Sequence, residues 1–220
     1  MAETPDTTAR ISEIGERVLA RLESTNAARE RALAETRQIV RMSANAIRAV
    51  HRNDFDEALD LLGRVRAMQD ALAADLRDAP NIYWSGYVQD AQKEFAEANI
   101  VHGIISGSGV PGPEDLNVED AVYLNGLAEA ASELRRYILD ALRRNQPERT
   151  EALLQTMDDV YGLLVSVDYP DAVTGGLRRT TDMLRGVLER TRGDLTISMQ
   201  QRSLLAALDK ASGQRAKETG

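Results

Sequence analysis

Apolar residues recur at intervals of three, four and seven along almost the whole chain. No segment alternates them singly or clusters β-branched residues as a strand does. The expected fold class is therefore all-α. The pattern is longest at the start, where Ile11, Ile14, Val18 and Leu22, then Leu33, Val40, Ala44 and Ile47, trace one helix over about residues 8–52. That is too long for a compact bundle alone, and a helix of this kind pairs with another chain or lines an assembly. A second helix begins at a cap around Asn53 or Asp54, carries Phe55, Leu59, Leu62, Val65, Leu72 and Leu76, and is stopped by Pro80. A third covers 82–105 and ends in the loop SGSGVPGP at 106–113. Asn117 can cap a fourth over 118–144, a fifth follows Pro147 to 167, Pro170 opens a sixth over 171–192, and a short last helix covers 199–211. The expected architecture is a single-domain bundle of six to seven helices over 1–211 with a disordered tail at 212–220.

Several chemistries are excluded at once. The 220 residues include no cysteine, which rules out disulfides, thiolate metal sites and a cysteine nucleophile. No apolar stretch approaches the roughly 20 residues of a membrane helix, and the polar start lacks a signal peptide's apolar centre. A cytoplasmic protein with no membrane partner is expected. The net charge of -8 argues against a chain that is basic all over, yet only Lys93, Lys210 and Lys217 of its 27 basic residues are lysine. Arginine's planar fork suits phosphate oxygens, although a GC-rich genome also produces an arginine excess.

Two groups of charged residues stand out. Arg37, Arg41, Arg48 and Arg52 fall within about 60° of arc at 100° per residue, forming one stripe that could follow a phosphate backbone. With Glu30 and Glu35 nearby, the same stripe could be an ordinary solvated face. The second group pairs Glu94 with Glu97 and Glu129 with Glu133, each pair on one helix face, with Asp90 on the side of Glu94. These acids sit among alanines and apolar residues. Four partly desolvated carboxylates brought together repel unless protonated or joined by a cation, and hard oxygen ligands select Mg²⁺ or Mn²⁺, ions that support phosphodiester hydrolysis. Glutamates at these spacings are also common on plain helix surfaces.

A di-iron oxidase would need Glu-x-x-His on two helices, whereas His102 lies five residues after Glu97 and His51 is remote. His51 reads as an edge member of the arginine stripe and His102 as structural. Trp84, Tyr83 and Tyr87 could stack on bases, but aromatics at this spacing more often belong to a core.

The stretch LNVEDAVYLNGLAEAASELRR at 116–136, DDVYGLL at 158–164, and LRR at 177–179 followed by Leu184, Val187, Glu189, Asp194 and Leu195 resemble, in that order, the pattern of the translin superfamily. The arginine-bearing segment 31–52 is similar to that family's basic N-terminal helix, and the resemblance covers about 10–197. Of the two branches, translin binds single-stranded RNA and DNA, whereas translin-associated factor X supplies the acids of a Mg²⁺-dependent endoribonuclease. KEFAEA at 93–98 matches the second branch's Gln-Glu-Tyr-Val-Glu-Ala, and Glu129 and Glu133 stand where that branch has an Asp and a Glu four apart. The resemblance implies catalytic and metal-holding roles for Glu94, Glu97, Glu129 and Glu133, with Mg²⁺ or Mn²⁺ as cofactor. It also implies a homo-oligomer, an octameric hollow barrel with acids and arginines inside, acting on single-stranded RNA and possibly binding single-stranded DNA. Arg178 and Arg179 could add phosphate contacts, although arginines at helix ends also suit the helix dipole. The alternative is a translin-like binder without turnover.

Overall fold

The computed structural model describes residues 7–218, with side chains described through residue 212. In chain order the elements are α1 (Thr7–His51), α2 (Phe55–Asp75), α3 (Pro80–Tyr83), α4 (Gly86–Ser106), α5 (Pro113–Leu116), α6 (Asp120–Arg143), a 3₁₀ turn (Pro147–Arg149), α7 (Thr150–Val165), α8 (Asp171–Thr174) and α9 (Leu177–Glu218). No strand occurs among the described residues, so the all-α class and the long first helix hold. No helix among them is long and apolar enough to cross a membrane.

The chain divides into two compact units, one ending at His102 and the other beginning at Gly103, within the last turns of α4. In the first unit α1 and α2 form a hairpin. Its turn is built by Asn53 in the left-handed region (φ 58°), where Asn53 N–H donates to Val50 and Asp54 N–H to Ala49, a Schellman closure. The Asp54 carboxylate then accepts from Glu57 N–H at 3.2 Å and caps α2, as the sequence predicts. Ile39, Ala46 and Val50 of α1 and Leu62, Val65 and Leu72 of α2 are buried, each large side chain contributing about 1.5–3 kcal/mol. In the second unit α6, α7 and α9 pack pairwise around Leu134, Ile138, Leu153, Met157, Leu184 and Leu188.

Four boundaries differ from the sequence expectation. The third helix is split. Pro80 starts the single turn α3, and α4 restarts at Gly86, because the Ser85 hydroxyl takes the Ile82 carbonyl at 2.6 Å and competes with helical pairing. Asn117 does not cap a helix start; it ends α5 in the left-handed region (φ 53°), and α6 begins only at Asp120. The expected sixth helix becomes α8, then Gly175 and Gly176 at positive φ, then α9. Lastly, α9 runs unbroken to Glu218 through the expected gap at 193–198 and the expected tail, of which residues 219 and 220 lie outside the described residues.

The glycine-rich connection after α4 is fastened. Tyr123 Oη donates to the Pro111 carbonyl at 2.9 Å, and Arg149 donates to the Ile105 carbonyl at 2.8 Å. At Gly103 a Cβ would stand 2.1 Å from the Gly109 carbonyl oxygen, so only glycine admits the loop. Gly103→Ala is expected to lower unfolding free energy by about 1–3 kcal/mol in chemical denaturation, because backbone has to move to clear the methyl. An unchanged denaturation midpoint would show that the loop yields freely.

Candidate functional site

α1 puts its arginines where the spacing predicts. Arg37, Arg41, Arg48 and Arg52 are all exposed, whereas Ile39, Ser43, Ala46 and Val50 are buried. At 100° per residue the two sets lie roughly 180° apart, so packing against α2 turns the stripe outward. Arg37 Nε donates to the Leu33 carbonyl at 2.7 Å, Arg48 to Asn45 Oδ1 at 2.6 Å, and Arg52 pairs with Glu57. These local bonds fix the stems and leave other guanidinium N–H groups directed outward, since each fork carries five donors. His51 is buried and so is not an edge member of the stripe.

Arg178 and Arg179 are exposed in the first turn of α9. The dipole explanation fails for them, because the N-terminal end of a helix carries partial positive charge and disfavours cations.

The acids occupy two helices. On α4, Glu94 and Glu97 lie one turn apart and can offer carboxylate oxygens within 4.8 Å of each other. Glu97 is only 9% exposed, and Phe95, Ala96 and Ala98 beside it in the sequence are buried. The sequence reading missed Lys93, whose Nζ is 3.6 Å from Glu94 Oε1, although an adjacent cation was visible in KEFAEA. Arg66 was also missed; its guanidinium stands 5.3 Å over the Phe95 ring. On α6, Glu129 and Glu133 share a face that is neither fully buried nor fully exposed, with Ala128, Ala130 and Ala131 buried around them. Arg136 approaches Glu133 at 3.8 Å. Asp90 is exposed.

Among the aromatics, Trp84 is 56% exposed and meets Tyr83 edge to face at 5.1 Å, so it is a surface residue and not a core one. His102 is structural: it is buried, it meets Phe55 edge to face at 6.0 Å, and its Nε2 has no hydrogen-bond partner among the described residues. Burial pushes its pKa below the ordinary 6.5. Below that ordinary value the unfolded chain takes up a proton here and the folded chain does not, so this contribution to stability is present above it and is lost as pH falls. Melting temperature is expected to drop more steeply from pH 7.5 to 5 in the parent than in His102→Gln. Equal slopes would remove the role.

The described residues thus set an outward arginine stripe and two half-sheltered acid pairs on an all-helical scaffold. No family model matches the chain. It is 32% identical over 185 residues to an uncharacterized protein of Methanocaldococcus jannaschii, covering 83% of this chain and 82% of that protein. The structure of AfC3PO in complex with duplex RNA is 34% identical, with a TM-score of 0.79 over 85% of this chain and 97% of the other. The crystal structure of AfC3PO gives 0.78 at 34% identity and the same coverage. Apo-NeC3PO, at 17% identity, shares the fold with a TM-score of 0.76 over 90% of this chain and all of its own. The chain belongs to the translin superfamily, among its C3PO-like members.

Proposed function

We propose that this chain binds single-stranded RNA, and single-stranded DNA as well, and cleaves RNA as a Mg²⁺- or Mn²⁺-dependent endoribonuclease from the interior of a closed homo-octamer. The observation that carries the reading is the Glu94–Glu97 pair, with carboxylate oxygens within 4.8 Å and one acid 9% exposed. Two anions so close in a partly dry site favour a bound cation or a proton. The donor set is all hard oxygen, which fits Mg²⁺ or Mn²⁺. Glu94 and Glu97, joined by Glu129 and Glu133, would hold the ion, and the ion would supply an activated water and a Lewis acid at the scissile phosphate.

The remaining work falls to the chain's own side chains. Arg37, Arg41, Arg48 and Arg52 span roughly 22 Å along α1 and give a strand a row of guanidinium contacts that sets its register without reading bases. Arg178 and Arg179 add phosphate contacts at the head of α9. The AfC3PO complex with duplex RNA supports nucleic-acid binding for this chain and makes strand preference an open competition.

A second reading is binding without turnover. It is favoured by Lys93, which already sets a cation 3.6 Å from Glu94. The discriminating experiment incubates the purified chain with labelled single-stranded and duplex RNA in Mg²⁺, in Mn²⁺ and in chelator, while affinity is followed against salt. The nuclease reading expects internal cuts only with metal. Intact RNA together with a log–log salt slope of about -0.7 per phosphate contact favours the binder.

A further inference from the structure

The hairpin leaves part of α1 uncovered. α2 has 21 residues against the 45 of α1, and Ala28 is the most N-terminal buried residue of α1 among the described residues. Beyond it, Ile11, Ile14, Val18 and Leu22 lie in the same roughly 120° arc as the buried Ala32, Ile39, Ala46 and Val50, so one apolar stripe continues past its partner. Those four side chains are 37–64% exposed. Arg10, Arg17 and Arg21 fall within about 40° of arc on one side of these four residues, next to Ile14, and Arg10 is paired with Glu13 at 3.0 Å. The other edge, with Ser12, Gly15 and Leu19, carries no charge.

The second unit exposes a surface of opposite chemistry. Two adjoining hollows of about 920 and 520 Å³ share Val167, Tyr169 and Thr174. Val165, Tyr169 and Val173 are 56–68% exposed there, giving an apolar floor that faces solvent. Around it stand Asp120, Asp168, Asp171 and Asp182 against Arg178, with Arg179 beside Asp171 and Asp182 in an adjoining hollow.

We propose that residues 10–22 of α1 dock into this acid-rimmed hollow on a second copy of the chain. Apolar stripe meets apolar floor, and the arginine edge meets the aspartates. Two α1 segments paired antiparallel would set their arginine edges against each other, which charge disfavours. Because donor and acceptor surfaces differ, the contact is head to tail, and such contacts close into rings when the rotation permits.

The inference rests on the homo-oligomer reading and not on the acids or the metal. Arg17→Glu with Arg21→Glu, or Asp168→Arg with Asp182→Arg, is expected to weaken self-association of the full chain by at least about tenfold in sedimentation, and all four changes together to restore it. Because the chain has no cysteine, Val18→Cys combined with Val173→Cys should yield a disulfide-linked multimer ladder, while each alone stays unlinked. Unchanged association in both reversed variants, no recovery in the combined one, or disulfide dimers of Val18→Cys alone would overturn the proposal. A parent chain that is monomeric at all concentrations would sink the homo-oligomer reading with it, whereas an oligomeric parent indifferent to the reversals sinks this inference only.

Discussion

The chain carrying Glu94→Ala and Glu129→Ala is expected to lose metal-dependent RNA cleavage by at least about 10²–10³-fold while still binding RNA. The two changes remove one carboxylate from each pair. Each helix then keeps a single acid, Glu97 or Glu133, and the charge density that would hold a divalent ion is halved. Binding should survive because the arginine stripe is on α1, on the face turned away from that helix's buried residues. Without metal, affinity should be equal to the parent's or modestly higher, since two like charges have gone. Glu129→Asp is the informative companion: the catalytic branch that this chain resembles has Asp at that position, so the shorter acid should keep cleavage. Cleavage that survives the double alanine change assigns the chemistry elsewhere. Far-UV circular dichroism of each variant separates loss of the site from loss of the fold.

Phe95→Ala is expected to lower unfolding free energy by about 3–5 kcal/mol, the largest effect of a single apolar truncation in the first unit. Phe95 is 1% exposed and is the largest fully buried side chain among the described residues. Removing it leaves a cavity that rigid helices fill poorly, and it strips the face beneath the Arg66 guanidinium. Against a total of about 5–15 kcal/mol, such a loss is severe. Phe95→Leu retains most of the apolar volume and should cost much less. The residue sits between Glu94 and Glu97, so the alanine variant should also weaken any metal response below its unfolding transition. A loss under about 1 kcal/mol in denaturant titration would mean that α4 repacks around the gap.

Much of this architecture was legible because helices are local. Each backbone bond spans four residues, so a recurrence at three and four defines both the helix and its buried side. That is why α1, the capping of α2 by Asp54, the outward arginines and the two acid pairs could be read from spacing. Boundaries were legible where proline or a capping side chain acts within one turn. They failed where two local signals competed. Ser85 broke a helix that the apolar pattern carried through, Asn117 closed a turn instead of opening a helix, and no strong breaker interrupted α9 at 193–198.

By itself the sequence determined the all-helical class, the length of α1, the arginine stripe and the pairing of glutamates on single faces, because all four follow from the 100° step of a helix. Tertiary structure decided what each of those faces meets. It put Glu97 at 9% exposure and left Asp90 in solvent, although both lie on α4. It buried His51 and exposed Trp84, and it set the Gly109 carbonyl where Gly103 can carry no side chain. It also ended the cover of α1 near Ala28 and left Ile11, Ile14, Val18 and Leu22 exposed. The physical reason is one of range: helical pairing is settled within four residues, whereas burial depends on side chains tens of positions away.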